Sequence, residues 1–274
     1  SVPNLVHRDH LAFAIAGSST VTKVAQLCGT FAGGVLVATH TFAVYGICAG
    51  FFLFGCFAVL SIRRSMRIVR PEPFSLDLLF GGFRFIGKTP TVFAAISIDL
   101  VVVLFGGVTG LLPVFAVDIL EVDSAALGLM RGMPALGALV VGLYLSAHRL
   151  PWAVGRSFYV SLVVFSASIL LFGLTRSYWI SLVALVAYGA SDMVSVYIRQ
   201  ALIQLGTPDA LRGRVSSVNS VMVISSNQLG DFRAGMMAGV IGAPAAVVLG
   251  GGVTLAATVL WAKIFPQLGR IKSI

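Results

Sequence analysis

Charge is what this sequence has least of. Only 11% of its 274 residues are Asp, Glu, Lys or Arg, where soluble domains carry about 25%. With 58% hydrophobic residues and a mean hydropathy of +0.98, the chain cannot cover itself with polar surface, so its solvent is the lipid bilayer. Acidic residues are scarcer still, 10 against 19 basic ones, for a net charge of +9. Cysteine is rare too. Cys28, Cys48 and Cys56 fall in apolar stretches with no CxxC spacing and no histidine cluster nearby, which reads as small apolar packing. Also missing are HExxH, a Walker A loop and any Ser/His/acid set that can be placed. An enzyme is therefore not expected, and neither is a metal or a cofactor.

What is present is a series of long apolar runs. A membrane-spanning helix needs about 20 mostly apolar residues. About eight stretches approach this, at 14–38, 42–62, 92–117, 127–147, 158–174, 179–204, 218–241 and 245–265. Very short turns such as Thr39-His40 and Gly242-Ala243-Pro244 join them, so neighbouring spans are antiparallel. The expected fold class is an all-α polytopic membrane protein. The segment 63–90 differs: it holds Arg63, Arg64, Arg67, Arg70, Arg84 and Lys88 against only Glu72 and Asp77. Pro71 and Pro73 stop the preceding helix. Ser75 is placed to cap a short amphipathic helix, whose Leu78, Leu79, Phe83 and Phe85 suit a membrane surface.

Basic residues collect on one side of this map. The start of the chain, the 63–90 segment, the loops at 148–156 and 207–214 and the C-terminal tail hold nearly all of them. The opposite side keeps Arg176 with Asp118, Glu121 and Asp123. The linker and both termini are accordingly expected in the cytoplasm. Anionic lipid and topology then explain the basic balance, and nucleic acid is not an expected partner.

Several phrases carry a family resemblance. TPDALRGRV at 207–215 and SSNQLGDFRAG at 225–235 form a basic loop and a polar helix. DLVVVLFGGVTGLLPVFAVDIL at 99–120, LGLMRGMPALGALVVG at 127–142 and VPNLVHRDHLAFAIA at 2–16 extend the pattern over essentially the whole chain. Together they resemble the bacterial efflux branch of the major facilitator superfamily. The resemblance implies two six-helix halves joined by a long cytoplasmic loop, with about eight of twelve helices in this chain, numbers five to twelve. Residues 1–62 would be the last two helices of the N-terminal bundle, 63–90 the linker and 91–274 the six-helix C-terminal bundle. The chain starts at Ser1 rather than Met and is expected to be part of a longer protein. The implied activity is secondary transport, proton-coupled efflux of a small organic compound such as a drug or siderophore, by alternating access in a bacterial inner membrane. Its partners would be substrate, protons and the bilayer. The alternative is a truncated, non-transporting remnant or scaffold.

Polar groups inside spans are the functional candidates, because a charge near the bilayer centre costs several kcal/mol unless it faces a cavity or a partner. Asp99 lies about 8 residues into its span, roughly 12 Å deep. Burial disfavours a carboxylate's charge and a nearby cation favours it, and that competition is what a proton-coupling group needs. Arg131, Asp192, Asp231, Arg233, Asn227 and Gln228 complete the coupling or cavity set. Asp231 matches an acidic position of the efflux branch, whereas Arg233 departs from the pattern. The two are only two residues apart and point to different faces. Arg199 shares a helix face with Asp192 and is expected to snorkel to lipid phosphates. Lys23 is a weaker candidate. Two loops are candidates for cytoplasmic gating. HRLPWAVGR, with Arg149, Gly155 and Arg156, faintly resembles the superfamily's gating signature without its acidic residue. The second holds Arg212, Gly213 and Arg214. Small-residue pairs such as Gly106/Gly110 and Gly235/Gly239 are expected at helix contacts.

Overall fold

The computed structural model describes residues 41–61, 76–147 and 153–269, with Gly29 and Ile271. The stretch expected at 14–38, the Thr39-His40 turn, Ser75, Lys23 and Arg149 lie outside the described residues. Eight helices of at least three turns follow in order among those described: α1 (Thr41–Leu60), α2 (Leu76–Lys88), α3 (Pro90–Gly106), α4 (Ser124–Ala147), α5 (Val154–Leu174), α6 (Tyr178–Gly206), α7 (Asp209–Ile241) and α8 (Ala243–Ile264). A last turn spans Pro266–Gly269. Five described stretches are long and apolar enough to cross a membrane: Pro90–Ile119, Ser124–Leu145, Val154–Leu174, Tyr178–Gly206 and Ala243–Ile264. α1 adds a shorter apolar stretch, Tyr45–Ala58. α7 is the longest helix, and its polar residues keep it out of that set.

The chain divides into two units, Ser1–Phe74 with Asp123–Gly132, and Ser75–Val122 with Met133–Ile274. In the first, every described side chain from residue 45 to 58 is exposed. Cys48 and Cys56 share that open surface as free thiols, so among the described residues neither shows the packing expected of it. The second unit holds the polar groups of interest.

Close backbone approach organises the second unit. A methyl group on Gly189 of α6 would collide with the Pro134 carbonyl of α4, and one on Gly137 would collide with the Val186 carbonyl of α6. Pro134 interrupts the hydrogen-bond ladder of α4, and small residues let the two backbones touch there. α5 packs between α6 and α8, with Gly173 against Val247 and Val248, and Gly251 against Ile169 and Leu170. Gly106 presses on Phe165, whereas nothing comes within 4 Å of a methyl on Gly235 or Gly239. The expected Gly235/Gly239 contact is therefore absent among the described residues: these glycines lie on the exposed face of α7.

Two further expectations change. α2 does not rest on a membrane surface by its apolar face alone. Gly82 comes against Val218 and the Arg214 carbonyl of α7. Ile86 then joins Val92, Ile96, Ile203, Val215 and Val218 in one apolar cluster with α3, α6 and α7, while Phe83 stays exposed. The basic loop at Arg212–Gly213–Arg214 is helical, because α7 begins at Asp209. α7 ends where Gly242, at φ 84°, turns the chain directly into α8, a backbone angle that suits glycine.

Substituting Gly189 with Val should prevent accumulation in the membrane, or lower the melting temperature sharply, since a rigid carbonyl cannot yield. Gly235→Val meets open space and should remain near the parent. Thermal unfolding of the two purified variants checks this, and equal melting temperatures would contradict the α4–α6 contact.

Candidate functional site

Asp99 on α3 is buried at 2% relative exposure, and Arg199 on α6 at 3%. Arg199 Nε lies 3.2 Å from Asp99 Oδ1, and Arg199 Nη1 donates to Asn219 Oδ1 on α7 at 3.0 Å. Three helices therefore meet at one guanidinium. The expectation that Arg199 snorkels to lipid phosphates is overturned. Its helix runs on to Gly206, and α3 and α7 close over the side chain and supply its acceptors. The Asp99 contact is an ion pair without a well-aligned hydrogen bond. Among the described residues, neither Asp99 Oδ2 nor Arg199 Nε has a hydrogen-bond partner. Ser195, one turn before Arg199 on the same face, also has a buried hydroxyl without a partner among them. Losing one member of a buried ion pair costs about 3–5 kcal/mol, because the other charge is stranded.

The second polar locus is a break in the Pro90–Ile119 span. α3 stops at Gly106, and the chain resumes as a 3₁₀ turn at Thr109–Leu111, a short helical turn and a π-helical turn at Phe115–Ile119. The last carbonyls of α3 need donors, and Arg233 of α7 supplies them. Its Nε donates to Leu104 O at 3.0 Å and its Nη2 to Phe105 O at 2.8 Å, while Nη1 lies 2.9 Å from Met237 Sδ. The guanidinium carbon also sits 5.0 Å from the Phe105 ring centroid, within cation–π range. Arg233 thus caps a broken helix. Asp231 turns the other way and lies against Gly110, where an added methyl would sit 3.1 Å from its Oδ1.

The remaining candidates scatter. Asp192, half-buried on α6, acts electrostatically on both Asp99 and Tyr188. Tyr188 stacks on Phe165 with centroids 4.5 Å apart and meets the Thr109 side chain beside the break. Asn227 and Gln228 are exposed on α7, with Asn227 Nδ2 turned back onto Val223 O at 2.9 Å. Arg131 is exposed and belongs to the first unit. Gly155 and Arg156 lie in the first turn of α5. The Gly155 N–H donates to Ile271 O at 3.1 Å, and a side chain there would collide with the Leu268 carbonyl. Gly155 thus seats the C-terminal turn. Sequence reading left Asn219 out of the site and misjudged Arg199. Their only signal was polarity inside a span.

A family model described as transmembrane secretion effector, of the major facilitator type, matches residues 1–273. The chain belongs to this family. The chain is similar to the enterobactin exporter of Escherichia coli O1:K1, 24% identical over 275 residues, which covers 99% of this chain and 65% of the exporter. The Citrobacter koseri enterobactin exporter is 25% identical over 233 residues, 84% of this chain and 55% of that protein. The chain thus spans less than two thirds of their length. Among solved structures it is similar to a bacterial homolog of the human lysosomal transporter Spinster, inward-facing and unoccupied. The TM-score is 0.63 at 15% identity, over 99% of this chain and 73% of that one. That likeness shows the fold: a partial major facilitator-type helical bundle.

Removing the Arg233 cap by Arg233→Leu should destabilise the family member by about 1–3 kcal/mol for each stranded carbonyl, with Arg233→Lys intermediate. Melting in detergent, followed by size-exclusion chromatography, reads this order. Parent-like melting of the leucine variant would refute the cap.

Proposed function

We propose that the protein is part of, or is, a secondary active transporter that exports a small organic compound against proton influx by alternating access. Residues 1–62 would end one helical bundle, 63–90 would link it to the next, and 91–274 would form the second. The membrane would be the bacterial inner membrane, with the C-terminus in the cytoplasm. Family membership supports transport, and the relatives named as enterobactin exporters support a siderophore-like or drug-like substrate.

One observation carries the proton: Asp99 is a buried carboxylate in a spanning helix whose cation, Arg199, belongs to another helix. Protonating Asp99 cancels the attraction that holds α3 to α6. Restoring its charge re-forms the pair. A proton can therefore change which helices are held together, and that is the requirement for coupling an ion to a conformational cycle. Asp192 and Asp231 would act on the same interior as cavity groups.

Everted membrane vesicles containing the product of the complete gene test this, with enterobactin as first probe and ethidium as second. A pH gradient, acid inside, should drive uptake of one probe in the parent. Asp99→Asn should abolish gradient-driven uptake while leaving exchange at equal pH measurable. Parent-like gradient-driven uptake in Asp99→Asn would end the coupling role of this carboxylate.

A further inference from the structure

The Asp99–Arg199 pair has a third member, and its chemistry differs from the other two. Asn219 is 3% exposed, on a stretch of α7 where Val215 and Val218 are buried and Met222 packs against their cluster. An amide in such a setting is costly unless it is hydrogen-bonded, and here it accepts from Arg199 Nη1 at 3.0 Å. The two arms of the guanidinium are unequal. The arm to Asn219 is an aligned hydrogen bond to a neutral oxygen whose accepting power does not change with pH. The arm to Asp99 is a charge contact without hydrogen-bond alignment, and the second carboxylate oxygen has no hydrogen-bond partner among the described residues. The arm that a proton can switch off is the less directed one.

We propose that Asn219 is a positioning residue. It keeps the Arg199 guanidinium in place when Asp99 loses its charge, so that protonation releases α3 from this guanidinium while α6 and α7 stay joined through it. This rests on the reading of Asp99 as the coupling carboxylate and extends it to a specific mechanical consequence. Without the amide, a buried guanidinium released by Asp99 would move to another acceptor and would not be waiting when the proton leaves. With it, the pair re-forms from a fixed partner.

Among the described residues, the polar and charged groups near Asp99 come from the helices packed against it. α6 presents Arg199 and Asp192. α7 presents Asn219 at this level, since its Arg214 lies beside Gly81 and its Asp231 beside Gly110. α8 turns Trp261 to α3 and exposes Lys263, α5 exposes Arg156 and engages Tyr159 with the α8 carbonyls, and α2 exposes Arg84 and Lys88. Trp261 is also a built-in reporter. Its Nε1 donates to Ser97 Oγ at 3.1 Å, two residues before Asp99 on α3.

The test uses the product of the complete gene in lipid nanodiscs, with Trp152→Phe, Trp179→Phe and every tryptophan outside residues 1–274 replaced by Phe, so that Trp261 emits alone. Emission against pH should show one step in the parent and none in Asp99→Asn. Asn219→Leu should shift the midpoint of the step away from the parent, because Asp99 then titrates against a guanidinium that the amide no longer holds in place. Asn219→Gln, which keeps an amide oxygen, should return it toward the parent. A step that Asp99→Asn removes but that Asn219→Leu leaves in place overturns the positioning role and spares the coupling reading. A step that survives Asp99→Asn at the parent midpoint overturns both, as does flat emission in the parent. Should the leucine variant fail to reach the membrane, Asn219→Ser replaces it: a shifted step beside a parent-like Asn219→Gln supports the role, and two parent-like variants overturn it.

Discussion

A guanidinium inside a membrane protein cannot be left without acceptors, and that requirement shapes the second unit. Two of its arginines, Arg199 and Arg233, solve the problem in different ways. Arg199 leaves α6 and finds a carboxylate on α3 and an amide on α7. Arg233 leaves α7 and finds the main-chain carbonyls that α3 exposes where it stops. Both therefore fasten α3 to other helices, one in its middle and one at its end. The chemistry of the fastenings differs. Carbonyls are neutral at every pH, so the Arg233 cap is permanent. Asp99 can take a proton, so half of the Arg199 fastening can be released.

Small residues make these contacts reachable. A side chain as long as arginine spans only a few ångströms, and the helices must already lie close. α3 approaches α7 and α8 through Gly230 and Gly250, where an added methyl would come within 2.9 Å of the Val103 carbonyl or collide with that of Phe105. The carbonyl that Gly250 lets come so near is one of the two that Arg233 takes. The glycine and the arginine are thus parts of one device: one admits the helix end and the other caps it. The break it stabilises places Thr109 and Gly110 beside Tyr188 and Asp231, an irregular backbone of the kind tolerated in a membrane only inside protein or along a water-filled cavity.

Much of this architecture could be read from the sequence. Apolar run length sufficed to find the Pro90–Ile119 span, α4 to α6 and α8 within a few residues, though not the break after α3, because a bilayer imposes one length on every span. Asp99 stood out because a carboxylate in such a run has no cheap bland explanation. Other features were out of reach. Arg199 is 100 positions from Asp99, and nothing in one sequence pairs them. Its nearness to a helix end suggested lipid, whereas the neighbouring helices extend past it. Arg233 looked like an anomaly beside Asp231, because its acceptors are main-chain atoms that no side-chain pattern encodes. The glycine pairs were only half informative: spacing marks a small-residue face, but Gly106 meets another helix and Gly235 does not.

α7 shows how far hydropathy can mislead. At 33 residues it is about 50 Å long at 1.5 Å per residue, well beyond the roughly 30 Å of a hydrocarbon core. It nevertheless is not among the apolar stretches of spanning length. Its polar groups divide between two sides. Asn219 points inward to Arg199, and Arg233 caps α3. Ser217 and Ser220, then Gln228 and Asp231, lie at helical spacing along the exposed side, with the apolar Ile224 between the two pairs and Asn227 at the margin. Groups of that kind are stable in a bilayer only where they meet water or other protein. Lipid can cover Val221, Leu229 and Phe232 beside it, but not Asp231. The low hydropathy of α7 is thus no argument against its crossing the membrane. It follows from a helix that carries Asn219 and Arg233 on one side and a series of polar groups on its exposed side.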